Sequence, residues 1–292
     1  MPVHHSRFKN PFEENFQEII WKDGLPFSNK YHDRFFQDDA VSEIKNIFIE
    51  PNQLLERIKN SSQICIGELG FGLGLNFFVT AKFWLENKKN LNSHNLEYLS
   101  IDEAFPTKAQ VLKIIKNFPD LEEICNIFLE SYDLSHNDTK RIYFPSLKIR
   151  LTLIQNDVAS GLKNLLGLKN NQINAWYLDG FDPNKNKSMW SNSVFQYINF
   201  LSARNATFGT FTSAGFVKRG LEKFGFEVNR VKGFGKKRHK LNGIKSFGGS
   251  HMSTHRNERK KIGIIGTGIA ACSVAYAAVQ NGTDVEMFES AE

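Results

Sequence analysis

The chain has 292 residues, of which 41% are hydrophobic, and a formal net charge of +6. This composition predicts one large or two ordinary globular domains, and no apolar run approaches the roughly 18 residues that a membrane helix needs. Its three cysteines are far apart and form no C-x-x-C pair, and the first residues lack the apolar core of a secretory signal. We therefore expect a reduced, cytoplasmic protein without a metal site or a membrane partner.

The positive charge is concentrated in one segment. Between Lys218 and Lys245 there are ten lysines or arginines against Glu222 and Glu227, a surplus of eight that leaves the rest of the chain slightly acidic. A basic segment on a near-neutral body is typical of nucleic-acid binding, but a solvated charged face has the same composition. Composition alone leaves both interpretations open.

Residues 1–60 are predicted to form a mixed N-terminal extension. Asp23-Gly24 lies between two apolar stretches and predicts a β-hairpin. The next segment, Tyr31–Phe36, is rich in aromatic side chains, and the spacing of apolar residues over 52–60 predicts a helix.

A glycine-rich loop follows the first strand of the main domain. The strand ends near Glu68, and Gly70, Gly72 and Gly74 separate it from a helix predicted over 77–86. Glycines there let the backbone approach a ligand closely. The pattern E-x-G-x-G-x-G differs from the G-x-G-x-x-G of dinucleotide sites, and an acid at the strand end suits a cationic amine. We therefore expect S-adenosylmethionine rather than NAD, with a glycine-rich surface turn as the alternative.

The next predicted strands also end in acidic residues. Asp102 closes the strand over 97–102 and suits hydrogen bonds to ribose hydroxyls, with Glu103 as the competing candidate. Asp102 would serve only to start the next helix in the alternative interpretation. Asp157 follows a strand over 147–155, where it suits both an adenine amino group and the N-cap of a helix over 158–166.

A second informative stretch is Asn174–Pro183, an apolar strand followed by Asp179, a glycine, Phe181 and Asp182. Ligands of open parallel sheets bind beyond the carboxyl ends of the strands, so Asp179 should face the cleft. Phe181 would offer a ring on which a flat base stacks. A simple Asp-Gly turn is the alternative role for Asp179.

Strands and helices alternate over the main part of the chain. The remaining predicted elements are helices over 107–118, 121–130 and 216–224, and strands over 206–212 and 226–231. This alternation predicts an α/β fold with a doubly wound, mostly parallel sheet. We expect this domain to span residues 1–240, and the polar segment 241–260 to be a linker.

A second glycine signature begins at Lys261. Gly266 and Gly268 have the spacing of dinucleotide-binding loops, and Glu289 closes the next predicted strand at the distance expected for a ribose contact. A βαβ unit of about thirty residues is too small to fold alone. We therefore interpret 261–292 as the incomplete start of a second domain.

Four motifs resemble a known family. They are Gly67–Phe77, Leu178–Pro183 with Met189-Trp190, Thr212–Gly220, and Lys232–Arg238. The chain is similar over residues 15–240 to the bifunctional bacterial family that completes 5-methylaminomethyl-2-thiouridine at the tRNA wobble position. The resemblance implies a class I, Rossmann-like methyltransferase fold that uses S-adenosyl-L-methionine to methylate the 5-aminomethyl group of the wobble uridine. Residues 261–292 resemble the start of that family's FAD-dependent oxidoreductase domain, with Gly266, Gly268 and Glu289 at FAD positions; without the rest of that domain we expect neither FAD binding nor oxidase activity.

The resemblance also implies roles for individual residues. Asp179 would be the catalytic residue, chiefly orienting the amine, because an ordinary aspartate with a pKa near 3.9 is a weak base. The residues expected at the cofactor are Glu68 at the methionine amine, Gly70, Phe71, Gly72, Gly74, Asn76, Asp102 at the ribose and Asp157 at the adenine. The residues expected at the tRNA anticodon region are Phe181, Lys218, Arg219, Lys236, Lys237 and Arg238.

One position departs from the family pattern. Asp182 stands where the family has a small apolar residue, and the sequence does not say whether its carboxylate repels phosphate or helps to hold the amine. Three other functions remain as alternatives: a methyltransferase for another amine, an inactive RNA-binding remnant, and a flavoprotein.

Overall fold

The computed structural model describes most of the chain. The described residues are 18–22, 24–36, 39–88, 95–133, 139–169, 172–235, 237–246, 261–280 and 284–289. Asp23 of the predicted hairpin and Lys236 of the predicted RNA contacts lie outside these residues. Within them, no helix is long and apolar enough to cross a membrane.

The N-terminal segment forms a small antiparallel sheet followed by two helices. Its strands are β1 (Ile19–Lys22), β2 (Leu25–Ser28) and β3 (Asp33–Arg34). Gly24 lies between β1 and β2 at φ +78°, a left-handed conformation that favours glycine, and the antiparallel pairing of β1 with β2 confirms the predicted hairpin. The helices are α1 (Ala40–Ile44), continued by a π-helical turn over Lys45–Ile49, and α2 (Leu54–Asn60).

The main domain is built on one eight-stranded sheet. Its strands are β4 (Gln63–Leu69), β5 (Asn95–Asp102), β6 (Thr139–Phe144), β7 (Ile149–Gln155), β8 (Ile173–Leu178), β9 (Ser202–Thr210), β10 (Phe226–Lys232) and β11 (His239–Lys245). The spatial order is β10-β11-β9-β8-β4-β5-β7-β6, and β4, β5, β7, β8 and β9 pair in parallel. β6 and β11 run antiparallel to their neighbours. The predicted doubly wound, mostly parallel sheet is confirmed.

Helices cover both faces of this sheet. They are α3 (Leu75–Asn87), α4 (Lys108–Ile115), α5 (Glu122–Ser131), α6 (Val158–Leu165), α7 (Asn192–Leu201) and α8 (Gly215–Lys223). Successive side chains of a strand point to opposite faces. Accordingly, Ile64 and Ile66 of β4 pack into one core with Phe77 of α3, whereas Cys65 and Leu69 pack into a second core with Ile198 of α7. Each strand of the sheet centre is therefore buried on both faces.

The linker is predicted to begin at residue 241, but the main sheet continues to residue 245. Residues 239–245 form β11, which pairs with both β9 and β10 inside the main sheet. The segment is polar enough to resemble a linker, but Lys240 is only 5% exposed, and its ammonium donates to the backbone and side-chain oxygens of Asn46. Because that long-range contact satisfies the buried charge, a polar segment can occupy the sheet. The boundary predicted at residue 240 therefore cuts through a strand.

Residues 261–280 and 284–289 form a separate parallel pair of strands joined with one helix. The elements are β12 (Lys261–Ile265), α9 (Ile269–Gln280) and β13 (Asp284–Phe288), with β12 and β13 in parallel register. This arrangement is the βαβ unit that the sequence predicts. Ile265 and Ile269 are 90% and 89% exposed, as expected of a unit too small to enclose a core.

Candidate active site

A cavity of about 810 Å³ lies at the carboxyl ends of the central parallel strands. The residues that follow β4, β5, β7 and β8, namely Gly70, Glu103, Asp157 and Asp179, all line it. Acidic side chains outnumber basic ones in the lining. The acids are Asp33, Glu43, Asp102, Glu103, Asp157, Asp179 and Asp182, and the lysine and arginines are Arg34, Arg230, Lys237 and Arg238. This acidic cavity at the edge where ligands of open α/β sheets bind is the candidate active site.

The glycine loop brings the backbone of β4 against the end of β8. Gly70 adopts φ +93°, and a Cβ built on it would lie 2.1 Å from the carbonyl oxygen of Asp179. Any side chain at this position would therefore push the two loops apart. The N–H of Gly72 donates to Oδ2 of Asp102 at 2.9 Å, which ties the loop to the end of β5. The close approach that Gly70 permits is between two loops that line the cavity, and the predicted approach of this backbone to a ligand stays a prediction.

The acids after β5 and β7 have different surroundings. Asp102 is half-buried. Burial raises its pKa to about 6, although the hydrogen bond from Gly72 acts to lower it. Thr107, not Asp102, is the N-cap of α4, which removes the alternative role of Asp102 as a helix start. Asp157 is exposed and accepts from the N–H of Ser160 at 3.0 Å, so its predicted N-cap role on α6 is confirmed. The predicted contacts of Asp102 with ribose and of Asp157 with adenine stay predictions.

Asp179 accepts a hydrogen bond from an amide rather than from its own turn. Its Oδ2 accepts from Nδ2 of Asn76, in the first turn of α3, at 2.7 Å. Burial raises the pKa of Asp179 to about 7, and the Asn76 hydrogen bond and the charge of Lys237 act in the opposite direction. A carboxyl group of this kind is a better proton acceptor at neutral pH than the ordinary aspartate expected from sequence.

Two predicted cofactor residues do not line the cavity. Glu68 has no exposed surface and lies behind Asn76, whose Nδ2 donates to its Oε1 at 3.0 Å. Gly74 is buried at the N-cap of α3, with φ +82°. Gly70, Phe71, Gly72, Asn76, Asp102 and Asp157, the other predicted cofactor residues, all line it.

The N-terminal segment forms one wall of the cavity. Tyr31 stacks on Phe181 with ring centroids 4.5 Å apart, and Phe35 contacts the same ring edge-on at 5.5 Å. One face of Phe181, on which we expected a base to stack, is therefore already covered. Tyr31 also donates through its hydroxyl to Oε2 of Glu103 at 3.0 Å. The aromatic density of Tyr31–Phe36 was the one sequence signal of this wall, but it did not indicate the partner.

The Asp182 carboxylate is used within its own loop. Its Oδ1 accepts from the backbone N–H and the side-chain amide of Asn184 at 2.9 and 3.1 Å. Its own N–H donates to Asp33 of β3 at 3.2 Å. Asp182 therefore organises the loop after β8 and joins it to the N-terminal wall.

The basic residues expected at RNA divide into two groups. Lys237 and Arg238 line the cavity, and Lys237 Nζ lies 4.5 Å from the centre of the Phe211 ring and 3.7 Å from Oε1 of Glu43. Lys218 and Arg219 lie on α8 outside the lining, where Lys218 pairs with Glu222 at 3.6 Å. Arg230 of β10, which sequence reasoning did not single out, lines the cavity with the first group. The β10–β11 hairpin therefore supplies a basic side to a mainly acidic cavity.

The residues present fit S-adenosyl-L-methionine. The glycine loop lies beside Asp102 and Asp179, and these half-buried carboxylates suit a ligand that carries a sulfonium and an ammonium. In the C-terminal unit, Glu289 accepts from the N–H and the hydroxyl of Thr267, between Gly266 and Gly268, at 2.8 and 2.6 Å. The FAD roles predicted for those three residues stay predictions.

Comparison with known proteins shows what this chain is similar to. Residues 119–246 match the family described as S-adenosyl-L-methionine-dependent methyltransferase. The chain is 33% identical over 304 residues to the tRNA 5-methylaminomethyl-2-thiouridine biosynthesis bifunctional protein MnmC of Hydrogenovibrio crunogenus, covering 99% of this chain and 44% of that protein. It is 31% identical over 302 residues to the MnmC of Legionella pneumophila strain Lens, covering 94% of this chain and 45% of that protein. The chain thus spans less than half the length of these relatives.

A solved structure shows the same fold. The crystal structure of MNMC2 from Aquifex aeolicus superposes with a TM-score of 0.60 at 22% identity, covering 85% of this chain and 75% of that one. This likeness supports the class I arrangement of sheet and helices described above. The solved structure therefore supports the fold, and residues 119–246 match the S-adenosyl-L-methionine-dependent methyltransferase family.

Proposed function

We propose that this chain transfers the methyl group of S-adenosyl-L-methionine to the 5-aminomethyl nitrogen of the wobble (2-thio)uridine of tRNA. The product is 5-methylaminomethyl-(2-thio)uridine. The observation that carries the proposal is the position of Asp179, a cavity-lining carboxyl with a pKa near neutrality, against the glycine loop. The names of the relatives, which specify 5-methylaminomethyl-2-thiouridine biosynthesis, support the choice of substrate.

Asp179 prepares the nucleophile in this proposal. A primary alkylamine is mostly protonated at neutral pH and must lose a proton before its lone pair can attack. The ionised Asp179 accepts that proton and holds the nitrogen in line with the transferred methyl group. When bound, S-adenosyl-L-methionine supplies an electrophilic methyl carbon on a sulfonium. In the transfer the N–C bond would form as the S–C bond breaks, S-adenosylhomocysteine would leave, and the product amine would carry the methyl group.

The rest of the cavity would bind the two substrates on opposite sides. The glycine loop after β4 and the acidic residues at the ends of β5 and β7 would hold the cofactor, with Asp102 at the ribose hydroxyls and Asp157 at the adenine. Lys237 and Arg238 would contact tRNA phosphates, which requires an RNA affinity that falls as the salt concentration rises. The uncovered face of Phe181 would contact the base.

The test is methyl transfer from labelled S-adenosyl-L-methionine to tRNA that carries the aminomethyl intermediate. Asp179→Asn keeps the size of the side chain but accepts no proton, and we expect it to reduce turnover about 100-fold or more while binding of S-adenosylhomocysteine persists. Transfer to small amines but not to tRNA would favour a methyltransferase for another amine. RNA binding without any transfer would favour an inactive remnant, and full turnover by Asp179→Asn would remove Asp179 from catalysis.

A further inference from the structure

Glu68 is a buried carboxyl group that the proposed mechanism does not use. Its residue is fully buried at the end of β4 and does not line the cavity. Ser100 Oγ donates to its Oε2 at 2.7 Å, and Asn76 Nδ2 donates to its Oε1 at 3.0 Å. Since Asn76 lines the cavity and Glu68 does not, a ligand in the cavity meets the amide before it meets the carboxyl.

The Asn76 amide is shared between two carboxyl groups. Its Nδ2 donates to Glu68 at 3.0 Å and to Asp179 at 2.7 Å, so both of its hydrogens are used. The ionised Asp179 only accepts hydrogen bonds, and Oε1 of Glu68 accepts when the proton of that carboxyl is on Oε2, so the nitrogen, not the oxygen, of Asn76 faces both groups. The orientation of the amide is therefore determined by its two neighbours.

This orientation leaves two acceptors for a ligand. In the described part of the chain, Oδ1 of Asn76 has no hydrogen-bond partner, and neither has Oδ1 of Asp179. An alkylammonium has three N–H donors and can use two neighbouring acceptors at once. The pair of oxygens thus matches an amine nitrogen better than a hydroxyl or a carbonyl oxygen.

We propose that Glu68 is a positioning residue: it holds the Asn76 amide so that its nitrogen fixes Asp179 and its oxygen accepts from the substrate amine. Glu68 itself contacts neither the amine nor the cofactor. The inference rests on the proposed function, and it replaces the direct contact between Glu68 and the methionine amine that the sequence suggested.

The charge state of Glu68 agrees with this assignment. Burial raises its pKa to about 8, with hydrogen bonds from Ser100 and Asn76 in the opposite direction. Glu68 is therefore largely protonated at neutral pH and offers an ammonium little charge. Glu68→Gln is close to an isostere of that form, since its amide oxygen can accept from Asn76 and its nitrogen can donate to Ser100.

The test compares three variants by calorimetry with S-adenosylhomocysteine and by methyl transfer across pH. We expect Glu68→Gln to keep both the Kd and kcat within about threefold. Glu68→Ala should lower kcat about tenfold by releasing the amide, so that the conservative glutamine restores what alanine loses. Asn76→Ala should lower kcat about 100-fold. It should also shift the acid limb of the pH profile of kcat to higher pH, because the hydrogen bond that lowers the pKa of Asp179 is gone.

Glu97→Gln is the matched control. Glu97 is also a buried glutamate, 5% exposed, on the neighbouring strand β5, but it pairs with Lys169 at 2.5 Å away from the cavity lining. We expect it to lower stability and to leave the pH profile of kcat unchanged. A pH profile that moves equally in Glu97→Gln would show that Asn76 acts only through general stability and would overturn the proposal.

Two further results would overturn the inference. A Kd for S-adenosylhomocysteine weakened tenfold or more by Glu68→Gln would mean that Glu68 contacts the cofactor directly. Unchanged kcat in Asn76→Ala would mean that the amide does not position Asp179. If the unmodified protein transferred no methyl group to tRNA, the proposed function would fail, and the calorimetric comparison would still decide the role of Glu68.

Discussion

Gly70 is the position where one added methyl group should disturb both stability and catalysis. It adopts φ +93°, and a Cβ there would lie 2.1 Å from the carbonyl oxygen of Asp179. Real Cβ contacts are essentially never shorter than 3.0 Å, so the two loops would have to separate by about 0.9 Å, the difference between these distances. Gly70→Ala should therefore displace the backbone that carries Asp179.

The expected magnitude has two parts. An alanine in the left-handed region costs about 1–2 kcal/mol. Forcing a methyl group into a packed contact costs about 1–3 kcal/mol more. We expect the free energy of unfolding to fall by about 2–5 kcal/mol, the sum of the two. A shift of about 1 Å at Asp179 should also reduce kcat about 100-fold.

Gly167→Ala separates the two parts. Gly167 has a similar φ of +83°, but a Cβ there would meet no atom within 4 Å. Urea unfolding should show a loss of about 1–2 kcal/mol for this control, with turnover unchanged. If Gly70→Ala lost no more stability than Gly167→Ala and kept its turnover, the close approach of the two loops would not control the site.

Three further predictions concern charge. Asp179 must be ionised to accept a proton, and burial raises its pKa to about 7. We therefore expect kcat/KM to rise with pH around pH 7, and a flat profile from about pH 6 to 8 would contradict this role. Glu68, with its pKa raised from 4.5 to about 8, keeps a proton in the folded state that the unfolded chain releases. The unfolding free energy of the ligand-free protein should therefore fall as pH rises from about 5 to 8, and Glu68→Gln should flatten that dependence in urea titrations. Lys237 lowers the pKa of Asp179, so Lys237→Gln should shift the acid limb of the kcat/KM profile to higher pH. If Lys237 contacts a phosphate, the same variant should also reduce the slope of log affinity for tRNA against log salt concentration by about one.

The local features of the site could be predicted from sequence because each depends on neighbouring residues. The glycines after β4 indicated a position where a side chain would be in the way, and a Cβ on Gly70 would indeed collide with Asp179, although the predicted neighbour was a ligand. Asp102, Asp157 and Asp179 could be placed together because the carboxyl ends of parallel strands lie at one edge of the sheet. The N-cap role of Asp157 likewise needs only the residues of α6.

The features that sequence missed depend on contacts between distant residues. The polar sequence of β11 indicates a linker because the contact that satisfies buried Lys240 comes from Asn46, 194 residues away. The wall over Phe181 depends on Tyr31, 150 positions earlier in the chain. No local pattern contains either partner.

What the sequence determined by itself is the fold class, the glycine loop and the group of acids at the strand ends, since periodicity and chain direction are enough to specify them. Only the tertiary structure decided which of the acids face the cavity. Glu68 and Asp179 both follow the pattern of an acid at a strand end, but Asn76 of α3 covers the first and holds the second at the cavity surface. Burial depends on what packs above a residue, and packing is a property of the folded chain.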